Sequence, residues 1–440
     1  MIDKNQILEI LEDWNFWKKE LDSGYEREKY LELAFKFLNP NVILSFIGVR
    51  RSGKSYLMRQ LAKKLIEKGS EKNRILIINF EDRRFTEFNL ELLDRIYETY
   101  LENLNPKNKP YVFLDEIHKI PKWEKWARTM HELNKAKIIV SGSSSELISG
   151  ELATVLTGRH LDINVFPLSF KEFLCFKKLN IKDKLDLISK KIEIKKLLKE
   201  YSEFGGFPEV VLNEEKKILL LTCFDDILTE DIEKRYKVRE GEKLRALAKF
   251  YLTNISNLIT FNSLKKYLEL STDTIEKFSS YFEKNNLLFF IKPFSFKIKE
   301  QEKSPRKIYS MDIGLSNAIG FKFSSNFGRL YENIVAIELK KKIMENADIE
   351  IYYWKNIKHE EVDFVIKQGL KVRQLIQVCY DLSDIETKER ELKALVKASK
   401  ELKCNNLFII TDDKEGEEKI KNKKIKYIPL WKWLLINKEK

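Results

Sequence analysis

The amino-acid sequence predicts an α/β fold: a parallel sheet of five strands, then a mostly helical region with a hairpin, then a second α/β unit. Five short runs rich in β-branched and aromatic residues alternate with amphipathic stretches, as in a parallel sheet covered by helices. These runs are residues 42–47, 75–80, 111–114, 137–140 and 161–166. A glycine-framed basic loop joins the first run to its helix, and a long helical stretch from residue 327 precedes further β-rich runs.

Length and composition favour a folded, multidomain protein. At 440 residues, with 43% hydrophobic and 34% charged residues, the chain can form about three packed domains and is unlike a low-complexity sequence. No apolar run approaches the roughly 20 residues that cross a bilayer, and the acidic, amphipathic start is unlike a signal peptide. We therefore expect a cytoplasmic protein that makes no membrane contact.

Cysteine spacing and net charge say less about which metals or macromolecules the protein binds. Four cysteines lie far apart without a C-x-x-C pair, so the sequence predicts neither a disulfide framework nor a zinc site. The net charge of +13 suits a polyanion such as DNA. Lysine is spread beside glutamate through the whole chain, so a solvated, ion-paired surface explains the charge equally well.

The first elements are a helical lead-in and a phosphate loop. Residues 1–39 carry Leu8, Leu11, Trp14, Trp17 and Leu21 at helix-like spacing. The loop that follows has the G-x-x-x-x-G-K-[ST] spacing, in which the main-chain N–H groups and a helix N-terminus face phosphate oxygens. Its predicted ATP-binding residues are Gly48, Val49, Arg50, Arg51, Ser52, Gly53, Lys54 and Ser55.

An acidic pair follows the third predicted strand. Lys54 would reach the β and γ phosphates, and Asp115 would hold Mg²⁺ together with the Ser55 hydroxyl. Glu116, one residue further from the metal, would accept the proton of the attacking water. The alternative for the acidic pair is an exposed turn at the end of a strand.

Two further residues are predicted near the γ phosphate. Ser143, with Ser141 as second choice, follows the fourth strand and would orient the water, because ligands gather at the carboxyl ends of parallel strands. The alternative is a serine-rich turn that caps a helix at Glu146. Arg159 could stabilise phosphate charge in its own subunit or across a homo-oligomer, or it could be a surface arginine that holds a loop.

Residues 168–235 are predicted to be mostly helical, with a tight turn at Gly205 and Gly206. Residues 240–310 then read as helix, turn, helix and hairpin, the order of a winged helix. The helix after Ser271 and the basic loop 297–307 supply the candidate nucleic-acid contacts, which are Thr272, Thr274, Lys277, Arg306 and Lys307. Winged helices also serve as protein-packing modules, so the alternative is that this region packs against protein and does not contact DNA.

From residue 327 the sequence predicts a third α/β part. A helix over residues 330–343 precedes strands at 349–354, 362–366 and 372–378. A helix at 387–402 and strands at 406–411 and 425–429 complete it.

With these residues in place, the chain resembles an archaeal and bacterial family of AAA+ P-loop ATPases. The resemblance extends over nearly all 440 residues. The stretches that carry it are GVRRSGKS, YVFLDEIHKIPKWE, VSGSSSELISG, GRHLDINVFPLSFKEFL, GGFPE, SPRKIYSMDIGLSNAIG, GRLYENIVAIEL and EVDFVI. The resemblance implies that the bound nucleotide is ATP rather than GTP. It also implies a winged helix and a C-terminal domain similar to restriction endonucleases of the PD-(D/E)XK type.

The family's C-terminal pattern has a helical Glu, a strand Asp and then E-x-K. Glu332 and Asp363 match this pattern, whereas Gln377 and Cys379 replace its last two members. An amide is a poor ligand for Mg²⁺, and a thiol lacks the positive charge of lysine. From these two departures we expect a degenerate domain without metal-dependent cleavage, retained for packing or nucleic-acid docking.

The sequence thus predicts four parts and a Mg²⁺-dependent ATPase that acts on DNA or with it. The parts are an ATPase domain at 1–176, a helical connector at 177–238, a winged helix at 239–322 and a restriction-endonuclease-like domain at 323–440. Two alternatives remain at this point. One is a nucleotide-dependent switch or scaffold for a protein partner, and the other is an ATP-dependent nuclease.

Overall fold

The structure is a computed structural model. It describes residues 2–38, 40, 42–143, 159–320 and 327–436, except for the side chains of residues 344 and 345. Two compact units divide the chain, Met1–Phe166 and Pro167–Lys440. The helix predicted at Glu146 lies outside the described residues, as do Ser144, Ser145 and Gly158.

The first unit contains a parallel five-stranded sheet, as the sequence predicts. Its strands are β1 Ile43–Ile47, β2 Ile75–Asn79, β3 Tyr111–Asp115, β4 Lys137–Gly142 and β5 His160–Asn164, in the order β2-β3-β4-β1-β5. Its helices are α1 Lys4–Trp14, α2 Glu28–Leu38, α3 Lys54–Glu67, α4 Leu90–Leu104 and α5 Trp123–Glu132. Strands β1, β3 and β4 are almost wholly buried, which explains why each appears in the sequence as a continuous apolar run.

The parallel pairing decides where polar side chains gather. Strand β1 pairs with β4 (Ile47 opposite Gly142) and with β5 (Ile43 opposite His160). Strand β3 pairs with β4 on its other side. The residues that follow β1, β3 and β4 therefore meet at one edge of the sheet, where α/β proteins bind their ligands.

The lead-in is not one continuous helical stretch. Helix α1 ends at Trp14, and Asn15 turns its side chain to the sheet. The Asn15 amide donates to the carbonyls of Leu11 (2.8 Å) and Ile77 (2.9 Å), and its Oδ1 accepts from the N–H of Ile77 at 2.7 Å. Because β2 is an edge strand, these bonds use main-chain groups that would otherwise lack a strand partner.

The second unit begins with a helical region. Its helices are α6 Phe170–Phe176, α7 Lys184–Ser189, α8 Lys191–Phe204, α9 Pro208–Leu212 and α10 Lys216–Asp226, and a π-helical segment, Ile227–Lys234, continues α10. The predicted turn at Gly205 has φ of +75°, and a Cβ there would lie 2.0 Å from an oxygen of Asp312. Asp312 accepts hydrogen bonds from the N–H groups of Gly206 and Gly314, and burial raises its pKa to about 6.

A small antiparallel sheet follows. The elements are α11 Gly241–Thr253, β6 Leu258–Ile259, α12 Phe261–Leu268, α13 Thr272–Lys284, β7 Leu288–Ile291, α14 Ile298–Lys303 and β8 Arg306–Ser310. Strand β8 lies between β6 and β7. Ser271 caps α13 by accepting a hydrogen bond from the N–H of Thr274. Part of the predicted basic loop is instead the short helix α14.

The last part contains a six-stranded mixed sheet with more elements than expected. After α15 Ile313–Ile319, its elements are α16 Phe327–Glu345, β9 Ile349–Lys355, β10 Glu361–Gln368, β11 Lys371–Val378, α17 Ile385–Glu401, β12 Leu407–Thr411, β13 Gly416–Ile420, β14 Lys423–Pro429 and α18 Leu430–Ile436. The strand order is β13-β14-β12-β11-β10-β9. Strand β13 and helix α18 were not predicted. Among the helices the structure describes, none is both long and apolar enough to cross a membrane.

Candidate nucleotide-binding site

The loop between β1 and α3 has the backbone shape that a phosphate cradle needs. A Cβ at Gly48 would lie 2.2 Å from the carbonyl oxygen of Val165, so only glycine fits there. Arg51 (φ +64°) and Gly53 (φ +95°) adopt left-handed conformations that curl the chain. Helix α3 begins directly afterwards at Lys54, with its N-terminal N–H groups at the loop. This shape fits a bound phosphate chain.

Lys54 lies within the loop that it is predicted to serve. Its side chain is 5% exposed, and Nζ donates to the carbonyls of Gly48 (3.2 Å) and Val49 (3.3 Å). The same Nζ lies 3.9 Å from Oε1 of Glu116. The ammonium group therefore links the loop to the acidic pair after β3.

Arg27, which belongs to no recognisable sequence motif, supports the loop from behind. Its buried guanidinium donates to the carbonyl of Ser52 (3.0 Å) and to that of Phe166 (3.0 Å). The Arg27 guanidinium also lies over the Tyr30 ring, 4.4 Å from its centroid. These contacts hold the phosphate loop against the end of the segment that follows β5.

Asp115 is buried at the end of β3 and faces two hydroxyl groups. The hydroxyl of Ser141 donates to its Oδ1, and the Ser55 hydroxyl hydrogen-bonds to the same carboxylate. Burial raises the pKa of Asp115, and the nearby charge of Glu116 raises it further. The structure thus brings together Ser55 and Asp115, the two oxygen donors predicted to hold Mg²⁺, and such donors suit this hard cation.

Glu116 adopts a strained backbone conformation. Its φ of +53° is unusual for a residue with a side chain, and its N–H donates to Oγ of Ser141 at 3.0 Å. Nδ1 of His118 lies 3.2 Å from Oε2 of Glu116. No sequence motif marks His118 as a site residue, although it follows Glu116 by only two positions.

The two candidate serines differ in their contacts. Ser141, the second choice, contacts both Asp115 and the N–H of Glu116. Ser143 lies two residues beyond and is buried. The direct contacts favour Ser141 as the residue that orients the acidic pair.

Arg159 lies at the wrong end of its strand for a role in its own subunit. Its carbonyl accepts from the N–H of Ile43, at the start of β1, whereas the phosphate loop follows the other end of β1. The side chain is 41% exposed and contacts Glu132 at 3.1 Å. The expectation that Arg159 serves the phosphate site of its own chain is therefore wrong, because parallel strands put this residue at the opposite edge of the sheet.

Most of the candidate nucleic-acid residues lie at the surface, but Lys307 does not. Lys277 is exposed, Thr272 and Thr274 are half-buried on α13, and Arg306 contacts Glu302 at 3.3 Å. Lys307 is 2% exposed and surrounded by carboxylates. Its predicted contact with nucleic acid is wrong, because its strand turns this side chain into the protein.

The four residues of the degenerate nuclease pattern lie close together in the last part. Asp363 accepts from the N–H of Val378, and its own N–H donates to Oε1 of Gln377 at 3.2 Å. Gln377 in turn donates to Glu391 at 2.6 Å. The Cys379 thiol donates to the carbonyl of Asp381, and burial raises its pKa to about 12. Glu332 contacts Lys307 at 2.9 Å.

Comparisons with known proteins agree with the first unit. A family model described as an AAA domain matches residues 40–174. Two further models, described as domains of unknown function DUF8612 and DUF4143, match residues 195–326 and 327–433.

Relatives match along the whole chain. "Uncharacterized protein MJ1544" of Methanocaldococcus jannaschii is 37% identical over 452 aligned residues, which cover 99% of this chain and 96% of that protein. The chain belongs to the MJ1544 family. An "Uncharacterized protein" of Haemophilus influenzae is 30% identical to this MJ1544-family chain, covering 81% of this chain and 87% of the relative.

The first unit of this MJ1544-family protein carries an AAA-type P-loop ATPase domain, which supports nucleotide binding. Among solved structures, the Walker-type ATPase PABY2304 of Pyrococcus abyssi is 14% identical with a TM-score of 0.44, covering 70% of this chain and 99% of that chain. Cdc6p from Pyrobaculum aerophilum is 14% identical with a TM-score of 0.29, covering 76% of this chain and 98% of that chain.

Proposed function

We propose that this protein is a Mg²⁺-dependent ATPase whose cycle serves an action on DNA or with DNA. The observation that carries the ATPase proposal is the meeting of Lys54, Asp115 and Glu116 at one edge of the sheet, with Ser141 bonded to both acidic residues. An ordinary glycine turn would not need a buried lysine beside a buried aspartate and a partly buried glutamate. This arrangement supports hydrolysis as well as binding.

The roles follow from the contacts. The main-chain N–H groups of residues 48–55 would bind phosphate oxygens, and Lys54 would exchange its two carbonyl partners for the β and γ phosphates. Ser55 and Asp115 would hold Mg²⁺, which neutralises phosphate charge when bound. Glu116 would accept the proton of the attacking water, and His118 would position the Glu116 carboxylate.

We propose a helical connector at 177–238, a winged helix at 239–322 and a restriction-endonuclease-like domain at 323–440, which follow the ATPase domain at 1–176. The order α12, α13, β7 and β8 supports the winged helix, since a two-helix turn precedes an antiparallel hairpin. The mixed sheet with Glu332, Asp363 and Gln377 on α16, β10 and β11 supports the second assignment.

The DNA proposal rests on the net charge of +13 and the exposed face of α13. The test is steady-state ATPase activity without DNA, with duplex DNA and with single-stranded DNA, each at two salt concentrations. We expect stimulation and DNA binding that weaken at the higher salt concentration. Absence of both would remove DNA from the proposal and leave the ATPase intact.

A matched pair of variants locates the DNA contact. Lys277→Ala should weaken DNA binding and reduce the slope of its salt dependence by about one. Lys400→Ala, which removes an exposed lysine from α17, should leave both unchanged. Equal effects of the two variants would argue against contact through α13.

A second candidate function, a nucleotide-dependent switch for a protein partner, is favoured by an apolar stripe. Leu185, Ile188 and Ile192, on α7 and the start of α8, are 75%, 74% and 87% exposed. Soluble surfaces seldom leave neighbouring large apolar side chains this open. Slow ATP turnover that DNA does not change would favour the switch. Separately, sedimentation with and without ATP would test for a homo-oligomer in which Arg159 serves the site of a neighbouring subunit.

A further inference from the structure

A buried charge cluster of the second unit is centred on Lys307. Its Nζ lies 2.7 Å from Oδ1 of Asp363, 2.7 Å from Oε1 of Glu361 and 2.9 Å from Oε1 of Glu332. The lysine side chain is 2% exposed, and the Asp363 and Glu332 side chains are 8% and 12% exposed. One buried ammonium group therefore faces three carboxylates, of which Glu361, 25% exposed, is the most open to water.

The four residues come from three separate elements. Lys307 lies on β8 of the small antiparallel sheet, Glu332 lies on α16, and Glu361 and Asp363 lie on β10. Between residues this distant in sequence, such contacts form only when the elements have docked. Because one lysine touches all three carboxylates, it joins the small sheet to the last part of the chain.

Neighbouring groups also bind the three carboxylates. The Tyr309 hydroxyl donates to Oε1 of Glu332 at 2.6 Å, and the N–H of Val378 donates to Oδ2 of Asp363 at 2.9 Å. Lys355 lies 3.2 Å from Oε2 of Glu361. Burial and the charge of Asp363 raise the pKa of Glu332, which favours its neutral form. The cluster is therefore well satisfied with the ammonium group in place.

This arrangement leaves no opening for a divalent ion. Within the described parts of the chain, no group of three or more His, Cys, Asp or Glu residues is spaced to hold a metal ion. Gln377 bonds to Asp363 and Glu391, and the Cys379 thiol bonds to a main-chain carbonyl. Metal sites also place several carboxylates around one cation, but here the cation is the Lys307 ammonium group.

We propose that Lys307 is a built-in cation that takes the position a divalent ion would otherwise occupy between Glu332, Glu361 and Asp363. It thereby locks strand β8 to α16 and β10 without any metal. The lock keeps the small sheet and the last part of the chain together. It gives these carboxylates a structural role, so their presence needs no metal-dependent cleavage to explain it. The inference does not depend on ATP hydrolysis.

The test compares thermal unfolding of the full chain with two variants and a control. Lys307→Met removes the cation from buried Asp363 and partly buried Glu332 and leaves Glu361 with Lys355 alone, so we expect the unfolding temperature to fall by about 10 °C. Lys303→Met, which removes an exposed lysine just before β8, should change it little. Equal unfolding temperatures for Lys307→Met and Lys303→Met would overturn the lock.

A triple variant keeps the test decisive if Lys307→Met does not fold. Lys307→Met combined with Glu332→Gln and Asp363→Asn removes the lysine together with two of its partners, so it should recover most of the lost stability. If it stays as unstable as Lys307→Met, the proposal is wrong. Mn²⁺ and EDTA should leave the unfolding temperature of the unchanged protein alone. A rise with Mn²⁺ that Glu332→Gln abolishes would show that a metal ion, rather than Lys307, holds this cluster.

Discussion

The Ser141 hydroxyl, at the end of β4, donates a hydrogen bond to Oδ1 of Asp115, at the end of β3. The Ser141 hydroxyl oxygen also accepts a hydrogen bond from the main-chain N–H of Glu116 at 3.0 Å. One side chain therefore fixes both acidic residues, one as a proposed metal ligand and the other as a proposed base. In a low-dielectric site, fixing such groups before the reaction begins is a large part of catalysis.

Ser141→Ala should lower the turnover number about tenfold or more and change nucleotide affinity little, because it frees the Asp115 carboxylate and the main-chain N–H of Glu116 from their common partner. Steady-state kinetics measure kcat and KM separately. Ser143→Ala is the matched control, since Ser143 lies two residues away on the same segment, and its effect should be smaller. The reverse ranking would return the role to Ser143.

Lys54→Ala should abolish measurable ATP hydrolysis and weaken ATP binding, because the loop loses the ammonium group that would contact the β and γ phosphates. Calorimetric titration with Mg²⁺ and ATP measures the affinity. Lys63→Ala changes an exposed lysine of the same helix and should behave like the unchanged protein. Full activity of Lys54→Ala would overturn the nucleotide site.

Glu116→Gln should retain ATP binding and lose about 100-fold or more in hydrolysis, because an amide cannot accept the proton of the attacking water. His118→Ala should produce a smaller loss, since it removes only the 3.2 Å contact that positions the carboxylate. Single-turnover assays separate hydrolysis from binding. Glu91→Gln, at an exposed position of α4, is the control, and normal hydrolysis by Glu116→Gln would show that another group is the base.

Lys137 should give the first unit a pH-dependent stability. Burial, followed by the charge of Lys109, lowers the pKa of Lys137 to about 8. Between about pH 8 and the ordinary lysine value the unfolded chain binds more protons than the folded one, so the free energy of unfolding should rise with pH across that window. Urea unfolding of Lys137→Met should lack this rise, whereas the exposed-site variant Lys135→Met should keep it.

The sheet of the first unit could be predicted from sequence because each buried parallel strand is a short apolar run, and the phosphate loop has a fixed spacing. The contacts of Ser141 with Asp115 and Glu116 could not be predicted, because they depend on the register of β4 against β3. Arg159 could have been placed correctly. It precedes β5, and the amino ends of parallel strands lie opposite the phosphate loop.

Lys307 and Arg27 show the limit of sequence reasoning most clearly. Lys307 is 25 residues from Glu332 and 56 from Asp363, so nothing local distinguishes it from the exposed lysines around it. Arg27 bonds to main-chain carbonyls 25 and 139 residues away, and carbonyl groups carry no sequence signal. Both residues owe their roles to tertiary packing.

The side chains before helix α2 have a practical consequence for shortened versions of this protein. Asn15 bonds to Ile77, and the Trp17 indole donates to the carbonyl of Ile75 at 2.8 Å. A fragment trimmed to residue 40, where the AAA-domain match begins, would leave the outer side of β2 open to strands from other molecules. Such a fragment would tend to aggregate, so biochemical work on the ATPase domain should retain the first 39 residues.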